Sequence, residues 1–294
     1  MKIVPIENQQ YGAEVYGFDA ESASDANIQQ LKNSIYKYKI LLLKNQAIDT
    51  DQFVQLGGRL GTPEAYYQPM YHHPKNNLIF VSSNTTEDGT QIGVPKTGKF
   101  WHGDYSFMPK PFAFTMIYPQ KVPSTNRGTH FIDMAEAYKR LSPELKRKLD
   151  GALACHSVKK YFKIRPVDVY RPISEVLAEV ERETPSVYHP AVFLHPLTGE
   201  KVLYVSEGFT QSLHDVNGNE INSQLLKDVL EQSGQLDEQY TSDLVHLQKF
   251  SKGDLMIWDN RRFIHRALHS TSAEPSVSYR LTLHDHQPFY SRVA

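Results

Sequence analysis

The chain has a single cysteine, Cys155, so no disulfide can form within it and nothing in its thiol content argues for secretion. Long hydrophobic runs are missing. The longest, ILLL at residues 40–43, is far below the ~20 apolar residues that a membrane-spanning helix needs. The opening MKIVPIENQQYGAEV lacks the apolar stretch of a signal peptide. An excess of charge of one sign is missing too. The formal net charge is -1, which offers nothing to nucleic acid or to an anionic membrane surface. No internal repeat, low-complexity tract or Gly/Ser linker divides the 294 residues. These absences lead to the expectation of a cytoplasmic protein with one domain, residues 1–294, and no nucleic-acid or membrane partner.

What is present is patterned hydrophobicity. ASDANIQQLKNSIYKY (23–38) has apolar residues at helical spacing behind a Ser24 or Asp25 cap, and DTDQFVQLGGRLG (49–61) reads as a helix opened by Asp/Thr and closed by glycine. Residues 135–152 read as two short helices broken at Ser142-Pro143, and 223–234 as another helix. Strands are expected at 39–45, 78–84, 113–119, 128–134, 191–196, 201–206, 254–259 and 277–285, with a Pro/Ser/Asn turn between 119 and 128. Many short strands with helices early and at the periphery do not alternate as βαβ units. They suit a mainly β architecture, an antiparallel jelly roll or double-stranded β-helix with peripheral helices. The helices and exposed aromatics could support a homo-oligomer.

WHGDYSFMPKPF (101–112) sets His102 and Asp104 two apart in an aromatic, apolar stretch. In a strand, residues i and i+2 share a face, so both could chelate one ion. His265, in WDNRRFIHRA (258–267), is the candidate third ligand. Two histidines and a carboxylate on one side of an ion leave the other side open, the arrangement of non-haem Fe(II) oxygenases. Zinc accepts the same donors. Arg280, in SYRLTLHD, has a planar fork suited to a carboxylate, and Thr129 lies on the strand after the His/Asp pair. A dicarboxylate cosubstrate would use both, whereas an isolated Arg280 would more simply be a surface ion pair.

Taken together, WHGD, the RGTHF strand, WDNRxxxH and the arginine beyond it resemble the taurine dioxygenase-like family of Fe(II)/2-oxoglutarate oxygenases. The similarity runs from GAEVYGFD (12–19) to YRLTLHD (279–285). It implies iron held by His102, Asp104 and His265, 2-oxoglutarate bound by Arg280 and Thr129, and O2 as the second cosubstrate. One departure concerns the substrate. Members that act on taurine carry a second arginine four residues after the first. Here that position is His284, and the interval from His265 to Arg280 is longer, which argues against a sulfonate.

Longer strings are similar to those of the subgroup that makes isonitriles in isonitrile lipopeptide biosynthesis: YYQPMYHH (66–73), GVPKTGKFWHGDYSFMP (93–109), RGTHFID (127–133), KIRPVDVYRPI (163–173) and WDNRRFIHRALH (258–269). That resemblance implies an N-carboxymethyl-3-amino (fatty) acid as substrate and a 3-isocyano acid as product. A substrate with two carboxylates needs cations and hydroxyls in its pocket. Lys163, Arg127 and His269 supply the former, and Tyr66, Tyr67, Tyr71 and Tyr105 the latter. The resemblance puts Lys163 and His269 on a substrate carboxylate. Each residue also has a plainer reading, since aromatic pairs more often pack than bind and a lysine is ordinarily solvated. His284, His286 and Cys155 read as structural, and Asp259 and Asn260 as fixing the segment that carries His265. A hydroxylase or desaturase of another small acid would share every iron and 2-oxoglutarate residue. A zinc hydrolase or a non-catalytic metal-binding jelly roll would have no use for Arg280.

Overall fold

The computed structural model describes every residue except 8, 126, 270–272 and 292–294. The described residues gather into two compact units, each assembled from separate stretches of chain. One comprises Met1–Lys99, Phe112–His130 and Leu247–Pro288; the other comprises Phe100–Pro111, Phe131–His246 and Phe289–Ala294.

In the first unit a nine-stranded sheet runs in the order Lys2–Pro5, Ala13–Tyr16, Ile40–Leu43, Leu255–Asp259, Phe114–Lys121, Val277–His284, Asn76–Ser83 and His72–His73. Thr62–Pro63 adds to Val277–His284 off this path. ILLL is buried at all four positions because this strand is interior, parallel to Ala13–Tyr16 and antiparallel to Leu255–Asp259. Val277–His284 places Arg280 opposite Ile117 on one neighbour and Phe80 on the other.

Two helices pack against this sheet. Asp25–Tyr38 begins with a capping box between Ser24 and Asn27, and buries Ile28, Leu31 and Ile35, which share one face. Thr50–Leu60 is capped by Asp49 with Gln52 and buries Phe53, Leu56 and Leu60. Gly61 ends the second helix, but not through left-handed backbone: its φ is -175°. A Cβ there would come 2.5 Å from the carbonyl oxygen of His284, so glycine is needed for close approach of two backbones.

The second unit contains a three-stranded sheet, Val187–Pro190, Leu153–His156 and Thr210–His214, and a hairpin, Val192–Leu194 with Lys201–Leu203. The expected break at Ser142-Pro143 separates Met134–Arg140 from Pro143–Leu149, with Ser142 capping the second helix. Ser223–Gln232 is also helical, as expected. Another helix, Ile173–Glu183, was not anticipated; Val176 and Val180 alone are its buried side chains. A further sheet joins Val245–Gln248, Gly128–Asp133 and Phe263–Leu268. Of the turn expected before Gly128, Asn126 lies outside the described residues. No helix among the described residues is long and apolar enough to cross a membrane. The architecture is mainly β with peripheral helices.

Candidate metal and cosubstrate site

His102 and Asp104 do not sit in a continuous strand. His102 forms a bridge and the chain turns at Asp104. Ser106 N–H donates to Gly103 O at 3.3 Å and Met108 N–H to Tyr105 O at 2.9 Å. Tyr105 takes the left-handed φ of 60° that this turn requires. The alternation expected of a strand therefore does not bring the two side chains together; the turn does.

The His102 ring is held between Phe100 and Phe209, with centroids 5.0 and 5.8 Å away. Its Nδ1 lies 2.8 Å from Phe100 O. A carbonyl can only accept, so Nδ1 carries the proton and Nε2 presents its lone pair. Nε2 is 3.9 Å from Asp104 Oδ1. His265 comes from the strand Phe263–Leu268, its ring against Trp258 at 4.8 Å. One ligand atom each from His102, Asp104 and His265 lies within 4.8 Å of the others. All three are buried, at 5%, 3% and 4% exposure. Two imidazoles, one with its lone pair fixed, and a carboxylate in so small a space fit a divalent transition metal and leave positions for further ligands.

The WDNRR segment ahead of His265 is locked. Asp259 Oδ1 accepts the Arg261 N–H at 2.9 Å, and Asn260 Nδ2 donates to Thr115 Oγ1 at 2.8 Å. This matches the anchoring role read from the sequence for Asp259 and Asn260. Arg261, which sequence reasoning passed over, is 1% exposed and pairs bidentately with Asp285 at 2.9 and 2.7 Å. Nothing local signalled that pairing, because the partner lies in a distant segment.

Arg280 is half-buried, its guanidinium carbon 3.9 Å from the centroid of Phe80. The two residues are cross-strand partners. Phe80 stacks on Tyr71 at 4.6 Å, and Tyr66 touches Tyr67, Tyr71 and Phe80 at 4.7, 4.8 and 5.2 Å. Two of the four tyrosines singled out from the sequence, Tyr66 and Tyr71, thus meet the same ring as Arg280, and Tyr67 packs on Tyr66. Burial pushes the Tyr71 hydroxyl well up from its ordinary 10.0, with Tyr67 adding and Arg280 opposing. Tyr105, the fourth, is 3% exposed and stacks on Phe107.

Thr129 is buried in Gly128–Asp133. Its neighbour Gly128 has a φ of 146°, and a Cβ there would lie 2.6 Å from Gln248 O. Arg127 is half-buried immediately before this strand. Lys163 is half-buried between the short turns Lys159–Tyr161 and Pro166–Asp168. The other cations of that string are committed elsewhere: Arg165 and Arg171 both pair with Asp168 and Glu179. Arg165 above all holds the Asp168 carboxyl down at about 2. His269 follows the end of a strand, not a helix, and its Nε2 lies 2.6 Å from Thr97 O.

The chain matches the family described as "Taurine catabolism dioxygenase TauD, TfdA family" over residues 2–282. It is 28% identical over 273 residues to pentalenolactone F synthase of Streptomyces arenae, covering 90% of this chain and 89% of that protein. It is 23% identical over 280 residues to the alpha-ketoglutarate-dependent 2,4-dichlorophenoxyacetate dioxygenase of Cupriavidus pinatubonensis, covering 90% and 91%. Among solved structures, AAD-2 in complex with Mn(II) and N-oxalylglycine is similar with a TM-score of 0.75 at 22% identity, over 98% of this chain and 100% of that one. A putative alpha-ketoglutarate-dependent taurine dioxygenase from Burkholderia xenovorans gives 0.72 at 22% identity, over 98% and 90%. The fold is that of a double-stranded β-helix.

Proposed function

The chain belongs to the TauD/TfdA family of Fe(II)/2-oxoglutarate-dependent dioxygenases, and from that premise we propose that it converts an N-carboxymethyl-3-amino (fatty) acid to a 3-isocyano acid. Fe(II), 2-oxoglutarate and O2 are its cofactor and cosubstrates. The observation that carries the class is the buried His102, Asp104 and His265 cluster. The finer reading is supported by the strings shared with isonitrile-forming enzymes and by the polar residues they contain. In this reading residues 1–294 act as one catalytic domain.

His102 Nε2, the Asp104 carboxylate and His265 would hold the iron, with the His102 tautomer set by Phe100 O. Arg280 would grip the distal carboxylate of 2-oxoglutarate, steadied by the Phe80 face, with the Thr129 hydroxyl assisting. With its iron bound, the site supplies a two-electron oxidation by O2 for each 2-oxoglutarate converted to succinate and CO2. Turning R–NH–CH2–COOH into R–NC and CO2 removes four electrons and four protons, so two turnovers are required. The chain's own task is positioning. Lys163 and His269 would anchor a substrate carboxylate, Arg127 would add a further cation to the pocket, and Tyr66, Tyr67, Tyr71 and Tyr105 would surround the amine and the glycine unit.

The test is substrate-dependent succinate formation across a small panel: N-carboxymethyl-3-aminobutanoate, 3-aminobutanoate, taurine and 2,4-dichlorophenoxyacetate. Stimulation confined to the N-carboxymethyl compound is the expected result. Stimulation by 3-aminobutanoate alone would move the chain to the hydroxylase or desaturase reading, and taurine turnover would contradict the reading of His284.

A further inference from the structure

The second unit carries a cavity that uses none of the residues assigned to metal, cosubstrate or substrate. Its volume is about 590 Å³, within the range of small-molecule pockets. Tyr138, Tyr188 and Tyr290 line it with aromatic rings, and Leu153, Val192 and Val216 with apolar side chains. Val216 sits directly over Gly151, where a Cβ would lie 2.9 Å from its Cγ1. Val216 is 74% exposed and Tyr188 53%. Apolar side chains grouped at the mouth of a cavity mark a ligand site more often than scattered ones do.

Two cations share the Tyr138 wall. Lys146 Nζ lies 5.5 Å and Lys201 Nζ 6.0 Å from the centroid of that ring. They come from different elements, the helix Pro143–Leu149 and the strand Lys201–Leu203, so tertiary structure brings them together. Neighbouring cations are neutralised: Lys139 pairs with Glu200 at 3.0 Å, Arg140 with Glu136 at 3.1 Å and Lys148 with Glu144 at 2.7 Å. Among the described residues, neither Lys146 nor Lys201 has a carboxylate within ion-pair distance. Lys146 Nζ donates instead to the carbonyl of Lys139 at 2.7 Å. Asp150 is the remaining charged residue of the lining. Two lysines and one aspartate leave one net positive charge there, which complements a monoanion better than a phosphate dianion.

We propose that this cavity is a second ligand site, for a small amphiphilic carboxylate. The carboxylate head accepts charge-assisted hydrogen bonds from Lys146 and Lys201. The aliphatic or aromatic body leaves water among the tyrosine rings, Leu153 and Val192.

The test is calorimetric titration of the full chain with octanoate, acetate and octylammonium. Octanoate should bind once per chain, acetate at least about 10-fold more weakly because it lacks the apolar body, and octylammonium not at all. The double variant Lys146→Gln/Lys201→Gln should bind octanoate about 10–100-fold more weakly, the scale of lost hydrogen bonds to a charged group. Val216→Glu, at an exposed position, cancels the net positive charge and should weaken binding as well; it decides the matter if the lysine variant melts below wild type. Arg280→Met and Lys163→Ala should leave octanoate binding unchanged. Binding that survives the changes at Lys146, Lys201 and Val216, or that is lost in Arg280→Met or Lys163→Ala, would place the carboxylate elsewhere and overturn the proposal. No binding to wild type, or acetate bound as tightly as octanoate, would also overturn it.

Discussion

The guanidinium carbon of Arg280 lies over the ring of its cross-strand partner Phe80, 3.9 Å from the centroid. A planar, delocalised cation held on an aromatic face keeps its N–H fork directed edgewise, the geometry that a carboxylate accepts in two parallel hydrogen bonds. Arg280→Lys keeps the charge and loses both the fork and the stacking. The KM for 2-oxoglutarate should rise about 10–100-fold, as the loss of a charge-assisted bidentate contact implies, while Fe(II) affinity stays level. Steady-state kinetics with 2-oxoglutarate varied checks this. An unchanged KM would remove Arg280 from the cosubstrate site.

Lys163 presents a different case, because it would bind substrate and not cosubstrate. Lys163→Ala should raise the substrate KM, with kcat and the KM for 2-oxoglutarate little changed, the pattern of a lost contact that serves ground state and transition state alike. Initial rates with each reactant varied in turn decide it. A fall in kcat with no change in substrate KM would displace Lys163 from the pocket.

Arg261 and Asp285 form a buried pair, and Tyr36 donates to the same carboxylate at 2.6 Å. Burial pulls the Asp285 carboxyl up, but Arg261, with help from the Tyr36 hydroxyl and the Gln287 N–H, holds it below its ordinary 3.8. Arg261→Met leaves that carboxylate buried without its cation. The expected loss is about 3–5 kcal/mol of folding stability, read from urea unfolding of the metal-free protein. A loss below about 1 kcal/mol, the scale of an exposed pair, would contradict the account.

Stability should also depend on pH through buried histidines. Burial, with His189 adding to it, pushes His156 down to about 3 from an ordinary 6.5, and burial lowers His189 as well. As pH falls below 6.5 the unfolded chain takes up protons that the folded chain refuses until about 3. The contribution is therefore fully present above 6.5 and is lost progressively on the way down to about 3. Urea midpoints should be level near neutrality and decline with acid, and His156→Gln should reduce the slope. An equal slope in the variant would show that other groups govern the acid limb.

The residues and structure also show which parts were legible in advance. His102 and Asp104 could be picked out because a short interval and an apolar setting are written locally, and the helix caps at Ser24, Asp49 and Ser142 are local in the same way. The turn at Tyr105 was not legible, since a left-handed tyrosine has no composition signal. Gly61 looked like an ordinary helix terminator, and only tertiary structure reveals the His284 carbonyl that excludes a side chain. The pairing of Arg261 with Asp285 joins separate segments of the chain. No periodicity records such contacts. The helix Ile173–Glu183 was missed because it buries only Val176 and Val180 and follows a string whose charges read as a pocket.

The most direct test of the central claim is the ratio of succinate to isonitrile. The protein would be incubated aerobically with Fe(II), 2-oxoglutarate and N-carboxymethyl-3-aminobutanoate, and both products followed by mass spectrometry. Removing four electrons in two-electron steps predicts an isonitrile with about two succinates for each product molecule. A product that carries a hydroxyl and never becomes an isonitrile, at about one succinate each, would contradict the claim and leave a hydroxylase built on the same iron and 2-oxoglutarate residues.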